Sequence, residues 1–240
     1  MIDPPPPDDG AASADPLHSP DAAAVTSELP GARFPWPPRP GESIPAAAIE
    51  TWRDSVFHPV SFFRRMPPDV PLGPVLLYMV AVAVVAAGIQ LFWEMVWLTV
   101  GVGGAERSLL WLFMSAESPA SALIGFLLTP LLVLAILYIG GAITHGILML
   151  LGGATLGFGA TLRVYAFSYG PQVFLIVPLL GWIVAAVWSI ALTIVGLREV
   201  HTAPGWKPAA AVLAPLGCLM AVVLAIAVML AMGALLLPEA

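Results

Sequence analysis

The chain has 240 residues, of which 59% are hydrophobic and 10% charged, with a mean hydropathy of +0.92 and a formal net charge of −6. Soluble domains carry roughly 25% charged residues, so this composition excludes a chain dissolved in water over most of its length. The acidic excess excludes the basic footprint that nucleic-acid binding requires, and Cys218, the one cysteine, excludes an intrachain disulfide.

Several apolar runs exceed about 18 residues, the length that crosses a hydrocarbon core of roughly 30 Å. They are continuous and do not alternate, which points to helices and away from a closed barrel. The expected fold class is an all-α integral membrane protein, a five-span helical bundle behind a disordered Pro-rich N-terminal tail.

Residues 1–45 form that tail. Rich in Pro, Ala, Asp and Ser, they hold too little apolar surface to offset chain entropy. They lack the basic and apolar regions of a signal peptide. A solvated spacer is favoured over docking of Pro37, Pro38 and Pro40 into an aromatic groove on a partner.

Residues 46–66 come next. Ile49, Trp52 and Val56 make a short apolar stripe beside Glu50, Arg53 and Asp54, Pro59 ends the helix, and Phe62 and Phe63 precede Arg64 and Arg65. Aromatic rings prefer the headgroup layer, so an interfacial amphipathic helix is expected, with Trp52, Phe62, Phe63, Arg64 and Arg65 as its anchors.

The membrane domain, 67–240, divides into spans at about 72–98, 119–151, 161–177, 181–197 and 209–237. Pro71 and Pro74 open the first, where a missing amide donor costs little. Glu94 lies close enough to its far end to snorkel to water. Gly152 and Gly153 turn the chain after the second span. Pro178 and Gly181 split an apolar run too long for one crossing into two spans, and Pro171 kinks the first of these. Six basic residues (Arg53, Arg64, Arg65, Arg163, Arg198 and Lys207) fall on one side against Arg107 on the other, so the N-terminus is expected in the cytoplasm and the C-terminus outside.

Nearly all intramembrane polar side chains lie on two helix faces. Tyr138 and His145 share a small-residue face with Gly141 and Ala142, while Tyr165, Ser168, Tyr169 and Gln172 fall at i, i+3, i+4 and i+7. Polar groups facing lipid would lack partners, and small residues allow close backbone approach, so the two faces are expected to pack together. Matching depths predicts an antiparallel register in which paired numbers sum to about 310–313, with His145 near Tyr165 or Ser168 and Tyr138 near Tyr169 or Gln172.

These residues stand in an ordered series: HPVSFFRRM before the first span, His145 followed by LLGG, LRVYAFSYGP with Tyr169, Gly170 and Pro171, then VPLLGWIVAAVWSIALTIVGLREVH. In this series, over about residues 55–235, the chain resembles the Ypt/Rab-interacting-protein (Yip) domain family. The resemblance implies a cytoplasmic tail and a polytopic domain. Eukaryotic relatives are associated with Rab-type GTPases. Eight Arg against one Lys, with abundant Ala, Pro and Gly, suggests instead a GC-rich bacterial genome and a bacterial member in the inner membrane, so a Rab-type partner is not carried over.

No catalytic motif appears. The glycines follow no strand, the spacings of His58, His145 and His201 match no zinc pattern, and no intramembrane Asp pair is present. No cofactor or metal is expected. The leading expectation is a non-enzymatic membrane scaffold or adaptor that organises other membrane proteins, copies of itself or bilayer shape. The alternative is a small transporter or permease component using the polar face between spans two and three, although no repeat and no midplane charge supports it.

Overall fold

The computed structural model describes residues 33–100 and 118–236. The helical unit begins at Pro35. Residues 1–32 of the expected tail lie outside the described residues. The end of that tail is packed: Trp36 is buried, donates its indole N–H to the Pro74 carbonyl at 2.8 Å and sets its ring 5.6 Å from that of Tyr78. An aromatic ring with a satisfied donor supplies the apolar area that the surrounding prolines lack.

Two helices then enter the bundle, α1 (Ile44–Phe57) and α2 (Pro59–Arg65). Pro59 stands at the first turn of α2, where its missing N–H leaves no intrahelical bond unmade. The stripe expected to face headgroups differs from its placement. Val56, Phe62 and Phe63 are 0%, 0% and 1% exposed, whereas Ile49 is 65% exposed. Phe62 meets Phe167 edge to face at 5.1 Å, and Phe63 reaches Gly196. The two phenylalanines fill a gap between membrane helices, which removes more apolar area from water than lying on a surface does. Arg64 and Arg65 remain at the rim, ion-paired to Glu199 and Asp54.

The long helices are α3 (Leu72–Val100), α4 (Pro119–Leu150), α6 (Gly181–Val200) and α7 (Trp206–Leu236). All four are long and apolar enough to cross a membrane. Their ends fall within about three residues of the expected spans, because capping and breaking residues mark them. Ser118 and Ser121 cap the start of α4 reciprocally, with Pro119 at its first position. At its other end Gly152 takes φ +63°, its N–H bonds to Met149 O and the Gly153 N–H bonds to Leu148 O, a Schellman closure. Lys207 Nζ then donates to Gly152 O at 3.0 Å.

The third expected span, 161–177, is not one helix. It consists of α5 (Phe158–Phe167) followed by a 3-10 segment, Gly170–Ile176. Pro171 has no amide hydrogen to continue the α-helical ladder, and Gly170 before it favours no helix, so the chain tightens there. This broken segment runs alongside α3. Arg163 Nε donates to the Val70 carbonyl at 2.7 Å just before α3, and Trp93 Nε1, in the last third of α3, reaches the Ile176 carbonyl at 3.3 Å. The two contacts are separated by roughly 30 Å of helix.

The turn at Pro178–Leu180 then reverses the chain into α6, with Leu179 at φ 66°. A Cβ on Gly181 would sit 2.1 Å from the Phe174 carbonyl oxygen, so glycine is required at that close approach. α6 packs on the 3-10 segment and α2, α3 on α4 and the 3-10 segment, and α7 on α4 and α6. The core sits at the end where α1, α2 and α5 meet the long helices: Val75, Tyr78, Leu137, Leu148, Phe167, Leu192 and Leu197 are all fully buried. Beyond it α7 runs nearly alone, with only 6% of its apolar window buried.

Candidate functional site

The residues expected to form one polar seam are divided between two places. At the first, near the turn after α4, a hydrogen-bonded chain links α4, α5 and the end of α6. The Leu156 backbone N–H donates to His201 Nδ1 at 3.2 Å. That nitrogen must therefore be unprotonated, and the neutral ring carries its hydrogen on Nε2. His201 Nε2 then donates to Thr161 Oγ1 at 3.1 Å, and the Thr161 hydroxyl donates onward to His145 Nδ1 at 2.8 Å. His145 is left with its hydrogen on Nε2. One backbone donor thus fixes the tautomers of two imidazoles whose ring centroids lie 6.0 Å apart.

His201 is 0% exposed and Thr161 is 0% exposed. Burial, and after it the neighbouring His145, push the His201 imidazole down to about 4 from its ordinary 6.5, so the ring is neutral at physiological pH. The Thr155 hydroxyl donates to the His201 carbonyl at 2.6 Å, which pins the loop between α4 and α5 to the end of α6. The arrangement orients side chains and holds a loop. Among the described residues no group of three His, Cys, Asp or Glu side chains is placed to hold a metal.

One turn further along, Thr144 Oγ1 and Tyr165 OH share a hydrogen bond. His145 is hydrogen-bonded to Thr161, where the depths predict Tyr165 or Ser168, and the register is shifted by about one helical turn. Gly141 explains the shift: a Cβ there would lie 3.0 Å from Leu162 Cδ2, so α5 slides until the leucine fits over the glycine. Ser168 is buried with its hydroxyl unpartnered among the described residues. Tyr138 is 42% exposed with its ring 6.5 Å from Phe158, and it does not line the cleft that holds Tyr169 and Gln172.

At the second place, Tyr169 and Gln172 line a cleft with Gln90 of α3, Thr129 of α4 and Trp182 of α6. Thr161 was legible in the sequence as one more turn of the Tyr165 face, at i−4. Thr144, His201 and Gln90 come from neighbouring elements, and no spacing within one helix reveals them.

The expected anchors and turns are also placed. Trp52 donates its indole N–H to the Gly170 carbonyl at 2.9 Å, and Val56 O accepts from Trp188 Nε1 at 3.0 Å. Gly152, Gly153, Pro171, Pro178 and Gly181 stand at turns or breaks. No curated protein and no solved structure matches the chain. The family model described as the Yip1 domain matches residues 53–229, well over half the length, and takes in α1 from Arg53, the His145–Thr161–His201 chain and the cleft. This multi-pass membrane protein belongs to the Yip1 domain family.

Proposed function

We propose that the protein is a non-enzymatic scaffold of the bacterial inner membrane that associates laterally with other membrane proteins or with copies of itself. The observation that carries this reading is α7, which carries no charged side chain beyond Lys207 and has only 6% of its apolar window buried within the chain. Leu219, Leu224 and Met229 are 60%, 65% and 68% exposed, so the part of α7 beyond its packing on α4 and α6 is free to meet lipid or another protein. On this reading α5 and the 3-10 segment together make a fifth crossing. At 1.5 and about 2.0 Å per residue they extend close to 30 Å, and Arg163 and Ile176 contact Val70 and Trp93 toward the two ends of α3. With the basic residues gathered on one side, the N-terminus is cytoplasmic and the C-terminus outside.

A photo-crosslinking residue at Leu219 or Leu224, activated in native membranes, tests the reading. Discrete protein adducts that vanish when α7 is replaced by an unrelated apolar helix support a scaffold, and lipid adducts alone count against it. Solute flux into liposomes that is abolished by His145→Ala would replace this reading with a transporter using the polar face between α4 and α5.

A further inference from the structure

The cleft between α3, α4, α6 and the 3-10 segment has a volume of about 360 Å³, within the range of small-molecule sites. It lies along the stretch where all three long helices are apolar enough to cross a bilayer. Three alanines of α3, Ala83, Ala86 and Ala87, form its floor. Its rim is open: Leu132 and Ile136 of α4 are 50% and 68% exposed, and Trp182 is 46% exposed. A molecule therefore enters sideways, from among the lipid chains.

The polar groups in the cleft are uncharged. Thr129 satisfies its own donor on the Gly125 carbonyl at 3.1 Å. Among the described residues the side chains of Gln90, Tyr169, Gln172 and Trp182 make no hydrogen bond. Gln90 and Trp182 are exposed on the open side and Tyr169 and Gln172 are half-buried, so two primary amides, a phenol and an indole N–H offer unmade hydrogen bonds to whatever occupies the cleft, and leaving them unmade in hydrocarbon is costly. No Arg or Lys lines the cleft to receive a phosphate, and no carboxylate lines it to receive an amine. A quinone presents acceptors only, which leaves both glutamine carbonyls unanswered.

We infer that this cleft binds an uncharged lipid carrying both a free hydroxyl and ester carbonyls, the chemistry of a diacylglycerol. Its hydroxyl donates to a glutamine carbonyl, its esters accept from the amide, phenol and indole hydrogens, and its acyl chains leave past Leu132 and Ile136 into the bilayer. This is independent of the scaffold reading, since it concerns a different face from α7.

The test uses the full chain in phosphatidylcholine nanodiscs doped with a diacylglycerol that bears a diazirine on one acyl chain. A phosphatidylcholine bearing the same chain is the control. After irradiation, peptides covering residues 129–136, past which the acyl chains leave, are expected to carry the diacylglycerol label several-fold above the control, and unlabelled diacylglycerol is expected to compete it away. Gln90→Leu with Gln172→Leu is expected to lower that labelling about tenfold, and Tyr169→Phe, which keeps the ring, roughly twofold to tenfold. Equal labelling by both probes, no labelling of these peptides, or displacement by an isoprenoid quinone but not by diacylglycerol would each overturn the assignment.

Discussion

Trp52 of α1 donates its indole N–H to the carbonyl of Gly170, 118 residues later, at 2.9 Å. A carbonyl oxygen carries two lone pairs, and Gly170, at the first position of the 3-10 segment, turns one of them to Trp52, so the break in the third hydrophobic segment and the docking of the N-terminal helix meet at one residue. Gly170 also has no room for a side chain, since a Cβ would lie 2.9 Å from Val56 Cγ2 and 3.2 Å from Trp52 Cδ1.

Two substitutions measure this contact. Trp52→Phe keeps most of the ring and removes one hydrogen bond, and is expected to cost about 1 kcal/mol. Gly170→Ala pushes α1 away and is expected to cost about 1–3 kcal/mol. Because both act on one contact, the double variant should lose less than the two together. Thermal unfolding in detergent, with proteolysis between α2 and α3 as a local reporter, checks both values.

His201 sets an acid limit on stability. Its folded-state value, about 4, is depressed below the ordinary 6.5, so the unfolded chain binds the extra proton between these values. The stability tied to the neutral ring is complete above about pH 6.5 and is lost progressively as the pH falls to about 4. The expected loss is on the order of 1–3 kcal/mol. His201→Gln should flatten that part of the stability profile while lowering the plateau near neutrality, because Leu156 N–H and Thr161 lose a fitted partner. Unfolding measured across pH 4–7.5 for both proteins decides it.

The sequence and the structure agree where local chemistry decides and part where the partner is distant. The starts of α3, α4 and α6 and the end of α4 are written in Pro71, Ser118, Gly181 and Gly152, each of which acts on its own neighbours. Phe62 and Phe63 read as headgroup anchors because a double aromatic before two arginines has that pattern. What takes them inside is Gly196, more than 130 residues away, which leaves a hole for Phe63. The polar seam was legible as two faces and illegible as a register, since its phase depends on Leu162 fitting over Gly141. Gln90 stands beside Tyr169 and Gln172 only because the 3-10 segment brings them there, which no spacing within α3 reveals.

Gly196 makes that dependence measurable. A Cβ at this position would stand 2.6 Å from Val164 Cγ1 and 2.9 Å from Phe63 Cζ, both in the packed interior. Gly196→Ala normally gains helix propensity of about 1 kcal/mol, yet here overpacking of about 1–3 kcal/mol opposes it. A net loss of thermal stability is expected, and Phe63→Leu in the same chain should recover part of it by vacating the space. If Gly196→Ala raises the melting temperature, α2 is not seated against α6 as described.

The register of α4 on α5 yields the most direct test, because the depth-matched and the observed pairings use different residues. In a chain carrying Cys218→Ser, cysteines at 141 and 162 replace a glycine and a leucine whose atoms are already in contact, with 3.0 Å between a Cβ at 141 and Leu162 Cδ2. Cysteines at 145 and 168 are matched by depth, yet His145 faces Thr161 one to two turns before Ser168. Treatment of native membranes with a short thiol crosslinker is expected to join 141 to 162 within the monomer and to leave 145 and 168 apart, read as a shift in gel mobility after a single cut in the intervening loop. A reversed result would return the pairing to sums of about 310–313. Thr161 would then be separated from both imidazoles, and no backbone donor would set their tautomers.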